Sequence, residues 1–431
     1  MKRKILLISV LILGIILRVF QLGQMPNGIS SDEASLGYNA YSILKTGKDE
    51  FGVKLPLSLR AFGEYKAPLY SYLSIIPIFI LGLNQVSVRL LSVVFSILTL
   101  LLIYFLVRQL FNREKTALLC ALVFGIIPWN LQFSRIAYEG NLMLFLLCGG
   151  VYFFYRGFTQ NKYFLFSTIF FCLSFYSHYN IRIFLPIFII SLFLIFKDNL
   201  NNFKKILIIN LLLGIMFLFP LLINTVRFEK NSRFNFISLF NDVSIALTVN
   251  EKVAGHIWQE IGSPASIRFM HNKITEPLTR FTENYISHFN PIFLLFIGDD
   301  SKFYKTPGSG LILFTFLPFL FIGLMLLLKK ADLGSKIILL WLFLSPVASS
   351  VTRMSASGNR AFMMLIPSVI LIGIGINRFS DHYSVSKKKW IIMAICLFLI
   401  FDLSYYLDNY YVHLSAKYEK DIQYQTKETV Q

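Results

Sequence analysis

The sequence predicts an all-α polytopic membrane protein, a bundle of about 11 transmembrane helices with juxtamembrane helices on its outer surface. Three observations predict it. Of 431 residues, 55% are hydrophobic and only 15% charged, whereas a soluble chain carries about a quarter charged residues. The apolar residues come in continuous runs of about 17–22, the length that crosses a bilayer core; an outer-membrane barrel would alternate instead. Basic residues gather in every second connection, as in cytoplasmic loops.

The first run, residues 5–22, follows Lys2-Arg3-Lys4. It resembles a signal peptide but lacks a small-x-small cleavage site and continues into Arg18-Val19-Phe20, so it reads as an uncleaved first span with the N-terminus inside. Residues 23–68 are too mixed to cross lipid and form a first external loop. Within it, 32–45 reads as a helix: Ala34, Tyr38, Tyr41 and Leu44 recur at three- and four-residue steps, giving an apolar face suited to the membrane surface. Residues 69–83 are short for a span and contain Pro77. Placing the basic loop Arg108–Lys115 inside makes 69–83 begin and end outside, as a re-entrant or interfacial segment, and extends the external region to 23–86.

The later spans fall at 87–107, 116–133, 141–155, 163–179, 183–196, 206–223, 310–328, 336–351, 361–377 and 390–406. The inside loops and N-terminus then hold 18 basic and 4 acidic residues, whereas loop 224–308 holds nine and eight. The asymmetry puts the N-terminus inside and the C-terminus outside. The chain divides into an N-terminal transmembrane module (1–223), a large external loop with short helices (224–309), C-terminal transmembrane helices (310–406) and an external tail (407–431). The amphipathic stretch Ile267–Ile286 is one such external piece.

The formal charge of +18 is explained by cytoplasmic loops meeting anionic lipid, and no nucleic-acid partner is expected. Cys120, Cys148, Cys172 and Cys396 all fall inside apolar segments without metal or redox spacing, which suits packing residues. No tandem repeat, Gly-rich phosphate loop or zinc-spaced cluster is present, and no metal site is expected.

Chemistry concentrates at the external mouths. Ser30-Ser31-Asp32-Glu33 follows the first span. Ser30 and Glu33 have capping-box spacing, and acidic residues suit a helix N-terminus; the same position would hold Asp32 rigidly at the mouth of the bundle. Lys66 lies in the same loop, Arg135, Tyr138 and Glu139 in the second external loop, His178, Tyr179 and Arg182 in the third, and Arg353, Asn359 and Arg360 in a later one. Ionisable residues at span ends serve function or snorkel into water; their convergence on one side favours function. Transfer of a sugar from a polyprenyl phosphate needs a general base for the acceptor hydroxyl and fixed positive charge for the departing phosphate. Asp32 or Glu33 fits the base, with Glu139 as a second carboxylate. Lys66, Arg135, Arg182 and Arg360 fit the phosphate, and Tyr38, Tyr65, Tyr138, His178 and Tyr179 fit the sugar or acceptor. Tyr at an interface also serves as an anchoring belt.

Four stretches carry a resemblance. Pro26-Asn27-Gly28-Ile29-Ser30-Ser31-Asp32-Glu33, Tyr65-Lys66-Ala67-Pro68-Leu69-Tyr70, Val88-Arg89-Leu90-Leu91-Ser92 and Ser134-Arg135-Ile136-Ala137-Tyr138-Glu139 resemble, in order and spacing, motifs of the GT-C glycosyltransferases. The likeness is to glycosyltransferase family 39, the protein O-mannosyltransferase and aminoarabinose-transferase group. It covers about residues 25–160; beyond that it rests on span pattern, Tyr176-Ser177-His178-Tyr179 and Asn359-Arg360. It implies a GT-C-type bundle, Asp32 as general base, Lys66 near the lipid phosphate and Glu139 as second carboxylate. Ala67 and Leu91 stand where the family has Pro, and Glu139 where it has Asp.

The expected function is an inverting transferase moving a sugar from a polyprenyl-phosphate donor to a protein, lipid or glycan hydroxyl outside the cytoplasm. A monophosphate leaving group amid basic residues does not require a divalent cation, although two nearby carboxylates could hold one. The alternatives are a lipid-linked sugar flippase or transporter, and a glycan ligase or polymerase. A transporter places charge near the bilayer midplane; here the charges lie at the mouths, which favours the enzyme.

Overall fold

A computed structural model describes residues 2–61, 64–228, 239, 243–259, 263–299, 305–330, 332–353, 356–382 and 385–414. Helices dominate them. The first expected span is α1 (Lys2–Val19) and the expected surface helix is α2 (Ser31–Thr46). Then come α3 (Leu69–Leu81), α4 (Gln85–Phe111), α5 (Glu114–Ile126), α6 (Pro128–Ser134), α7 (Glu139–Gly157), α8 (Lys162–Phe175) and α9 (Ile181–Ile195). Helices Lys204–Phe228, Leu317–Lys329, Leu333–Leu344, Leu365–His382 and Val385–Asp408 occupy the remaining expected spans.

Among the described residues, five helices are long and apolar enough to cross a membrane unaided, or six counting the bent α5–α6 pair. α3 has 13 residues, about 20 Å of helix against a core of about 30 Å. The bundle has two chemically distinct ends. At one, Arg3 of α1 meets Glu114 of α5 at 2.6 Å. At the other lie the polar residues considered below.

The expected span 116–133 is not one straight helix. α5 and α6 meet at a 54° bend, and the cause is Pro128 at the start of α6. Proline has no N–H to give the carbonyl four residues back, so Phe124 loses its partner. Gly125 loses its own because the Trp129 amide donates instead to the Leu311 carbonyl at 2.8 Å. Arg18 repairs both, donating to the Gly125 and Phe124 carbonyls at 3.0 and 3.1 Å. It also reaches Asn130 Oδ1 at 2.6 Å and Ser96 Oγ at 2.7 Å. Asn130 then donates to Asn141, and Asn141 to Ser92 and the Phe133 carbonyl. This buried network welds the bend to α1, α4 and α7, as unmatched backbone inside a membrane bundle requires.

The exposed face of α2 carries Ala34 and Tyr38; the opposite face buries Leu36, Ala40 and Ile43. The first external loop contains a feature absent from the sequence reading, an antiparallel hairpin of β1 (Leu59–Ala61) and β2 (Glu64–Lys66) with Leu59 opposite Lys66. Strands of three residues are too short to show alternation. Close helix packing also depends on Gly323 and Gly375: a side chain at either would strike the backbone of Leu371 or Phe319 on the facing helix.

The large loop carries helices Val243–Trp258, Pro264–Met270 and Thr275–Ser287. The stretch Ile267–Ile286 is split, because the Asn272 side chain accepts from the amides of Ile274 and Thr275 and forms a turn. Of the expected tail, residues 415–431 lie outside the described residues.

Candidate active site

The site starts from the cap of α2. Ser30 is extended (φ −71°, ψ 158°); its hydroxyl accepts from the Glu33 amide at 3.2 Å, and the Glu33 carboxylate accepts from the Ser30 amide at 3.1 Å. This capping box fixes the first turn and sends its two carboxylates in different directions.

Glu33 turns inward. Its carboxylate accepts from Arg89 Nε at 2.8 Å and Nη2 at 3.3 Å, and from the Ala137 amide at 2.9 Å. The two side chains are 4% and 1% exposed. Arg89 further donates to the carbonyls of Leu22, Pro26 and Gly28. Glu33, expected among the catalytic carboxylates, is held in a buried brace joining α2, α4 and the loop before α7.

Asp32 turns outward. Its carboxylate is 45% exposed and meets Lys66 Nζ at 2.6 Å, with the Lys66 side chain 9% exposed. Lys66 also donates to the Asp32 carbonyl at 3.2 Å. The β-hairpin places Lys66 there, at the end of β2, and the Pro68–Leu69 entry into α3 follows.

Arg135 departs furthest from its expected role. It is 1% exposed and donates to the carbonyls of Leu17, Arg18, Phe20 and Met25 at 2.7–3.2 Å. Its guanidinium lies against the rings of Tyr410 and Tyr411. It therefore satisfies orphan carbonyls at the C-terminal end of α1, where a cation is favoured.

Tyr138 sits between these braces and the later loops. Its hydroxyl donates to Asn359 Oδ1 at 2.6 Å and to the Asn359 carbonyl at 2.8 Å, and its ring meets His178 edge-on at 5.9 Å. Burial holds its hydroxyl pKa well above the usual range, and the carboxylates of Glu139, Asp299 and Asp32 push it the same way. Those three carboxylates thus share one neighbourhood. Glu139 opens α7 and is half-buried. Asp299, missed in the sequence, is 2% exposed and accepts from Ser357 Oγ at 2.9 Å and from the Asn359 amide at 2.7 Å. It fixes the loop that holds Tyr138. Nothing in its local sequence sets Asp299 apart; its value comes from residues about sixty positions later.

The remaining residues lie around this centre. Asn180 donates to the Arg360 carbonyl at 3.0 Å, and Arg360 donates to Thr352 Oγ1 at 2.9 Å. Arg182 lies 4.0 Å over the Tyr179 ring and is half-buried. Tyr65 stands opposite Arg60 in the hairpin. Tyr38 is 52% exposed on the outer face of α2. Among the described residues, no group of three or more His, Cys, Asp or Glu is arranged to hold a metal ion.

Fold and site define a helical membrane protein with an accessible, ion-paired carboxylate and half-buried arginines at one end of its bundle. The pattern of the dolichyl-phosphate-mannose-protein mannosyltransferase family matches residues 65–223. The fold is that of the GT-C membrane enzymes, as the sequence resemblance implies. Oligosaccharyltransferase AglB from Archaeoglobus fulgidus, in complex with an inhibitory peptide and a dolichol-phosphate, superposes with a TM-score of 0.58 at 14% identity over 93% of this chain and 55% of that one. ArnT from Cupriavidus metallidurans, bound to undecaprenyl phosphate, gives 0.56 at 13% identity over 91% and 62%. The A. fulgidus enzyme tethered to an acceptor peptide gives 0.59 at 14% over 93% and 54%. The chain thus spans between half and two thirds of these proteins' lengths. No curated protein matches it in sequence.

Proposed function

We propose that the chain is a GT-C glycosyltransferase of the mannosyltransferase and aminoarabinose-transferase type, using a polyprenyl-phosphate sugar as donor and acting on the extracytoplasmic side. The observation that carries the reading is the Asp32–Lys66 pair: a half-exposed carboxylate and a nearly buried ammonium 2.6 Å apart on an element braced from below by Glu33 and Arg89. The matched family and the lipid phosphates bound by the two superposed proteins point to the same donor class.

In this reading the incoming lipid phosphate draws Lys66 away from Asp32. Freed of its cation, Asp32 is the stronger base and takes the proton of the acceptor hydroxyl. The acceptor oxygen bonds to the anomeric carbon as the bond from that carbon to the phosphate oxygen breaks. The polyprenyl phosphate leaves with the electron pair, its charge met by Lys66, with Arg182 and Arg360 as further cations. Single displacement with one base inverts the anomeric centre. Glu139 and Tyr138 stand on the acceptor side, with His178 and Tyr179 beside them. Arg135 and Glu33 act by holding the scaffold.

The test is transfer of radiolabelled sugar from a panel of polyprenyl-phosphate sugars in vesicles, comparing the wild type with Asp32→Asn. Transfer reduced about 10²- to 10⁴-fold is expected on losing a general base. Unaltered transfer in Asp32→Asn would remove the base assignment, and counterflow of an intact lipid-linked sugar without transfer would favour the flippase reading instead.

A further inference from the structure

His256 lies in the last turn of Val243–Trp258, and His271 ends Pro264–Met270. Both are half-buried. They belong to the layer formed by the large loop and take no part in the site around Asp32. Their Nε2 atoms face each other at 3.3 Å, with ring centroids 5.1 Å apart and planes inclined by 31°.

The separation is at the long end of hydrogen-bonding distance. An N–H donor prefers its acceptor at about 2.9–3.0 Å and in line, and an in-line pair at the observed separation would hold the centroids further apart. Two imidazoles on one tetrahedral ion, each with a metal–nitrogen distance of about 2.0–2.1 Å, place their nitrogens about 3.3–3.4 Å and their centroids about 5.2 Å apart. Both observed distances agree with the second arrangement.

We propose that His256 and His271 form a binding site for one divalent transition-metal ion of the zinc class. Each ring binds through Nε2 as neutral imidazole with its proton on Nδ1. Among the described residues no third His, Cys, Asp or Glu joins them. Of the nearby positive charge, Lys252, one turn before His256, is paired with Glu276 at 2.8 Å, and Arg280 reaches the same carboxylate at 3.6 Å. The ion ties the ends of two helices together. The next helix, Thr275–Ser287, donates from Asn284 to the Thr352 carbonyl at 3.0 Å, and Thr352 also receives Arg360. The clip therefore steadies the layer that packs against the Arg360 loop. Ligands 15 residues apart on separate helices have no recognisable spacing.

The experiment is calorimetric titration of the full-length protein, stripped with a chelator and held in detergent, with Zn²⁺. The wild type should bind one equivalent at submillimolar concentration. Loss of an outer partner of a ligand costs about 10- to 100-fold in affinity, so His256→Gln and His271→Gln should each weaken binding by at least about tenfold, while His413→Gln leaves it unchanged. Electron paramagnetic resonance of the wild type with Cu²⁺ should show two imidazole nitrogens and needs no variant to fold. Absence of saturable Zn²⁺ binding, binding unaffected by either substitution, or a Cu²⁺ signal with a single nitrogen would each overturn the proposal.

Discussion

The Glu33 carboxylate receives the Arg89 guanidinium at 2.8 Å with both side chains almost fully excluded from solvent, while the adjacent Asp32 carboxylate stands half exposed against Lys66. Two consecutive positions in the first turn of α2 therefore send one carboxylate into a buried ion pair and the other toward solvent. Glu33 is satisfied on both oxygens, by the Ser30 and Ala137 amides and by two guanidinium nitrogens. Asp32 faces outward.

Breaking the inner pair should cost stability. Removing one partner of a buried ion pair leaves an uncompensated charge and costs about 3–5 kcal/mol. Glu33→Gln and Arg89→Gln should each lower the melting temperature in detergent strongly, and the double variant should lose less than the two losses added. An unchanged melting temperature in Glu33→Gln would contradict the brace.

Changing the outer pair should cost activity. Lys66→Met removes the cation nearest Asp32 and, on the proposed function, should lower kcat/KM for the lipid donor about 10²- to 10³-fold. Its melting temperature should move little, because a partly exposed pair contributes about 0–1 kcal/mol. The check is donor kinetics and a melting curve on the same preparation.

Arg135 should behave in the opposite way to Lys66. Lysine cannot serve four carbonyls in a fixed fork, so Arg135→Lys should destabilise by about 2–4 kcal/mol while the donor KM of the folded fraction stays constant. A selective rise in donor KM would restore Arg135 to the phosphate site.

Tyr138, Asn359 and Asp299 should act as one unit. Tyr138→Phe and Asp299→Asn each strand buried polar groups, at about 1–3 kcal/mol each. Because they share the Asn359 loop, the double variant should lose clearly less than the sum. Strict additivity in denaturation measurements would show that the two residues are independent.

His288 should make stability pH-dependent. Burial, aided by the Arg360 charge, lowers its pKa to about 4, against the opposing effect of its bond to the Asn284 carbonyl. Between that value and the ordinary value of about 6.5 the unfolded state binds a proton that the folded state refuses, so stability rises with pH across the window and is lost on acidification. His288→Gln should flatten the melting temperature between pH 6.5 and pH 4 relative to the wild type; an identical slope would contradict the assignment.

Much of the fold was legible because lipid forces a simple code: apolar runs of bilayer length had to be helices, and the Ser30–Glu33 spacing had to be a cap. The bend at Pro128 was visible as a residue but not as a break, since its repair comes from Arg18, more than a hundred positions earlier. The hairpin that delivers Lys66 has strands of three residues, too short for a periodic signal.

By itself the sequence determined the helical membrane architecture, the capped turn carrying Asp32 and Glu33, and the set of charged residues at the helix ends. It did not decide what each charge does. Arg18, Arg89, Arg135, Lys66 and Arg360 are all cations beside apolar runs, and composition treats them alike. Tertiary structure separated them by what each could reach: carbonyls freed at a broken or ending helix took Arg18 and Arg135, a buried carboxylate took Arg89, and the half-exposed Asp32 was left to Lys66. The physical reason is that unsatisfied groups buried in a membrane bundle are too costly to leave unmatched. Those assignments depend on distances between helices remote in sequence, which only the folded bundle defines.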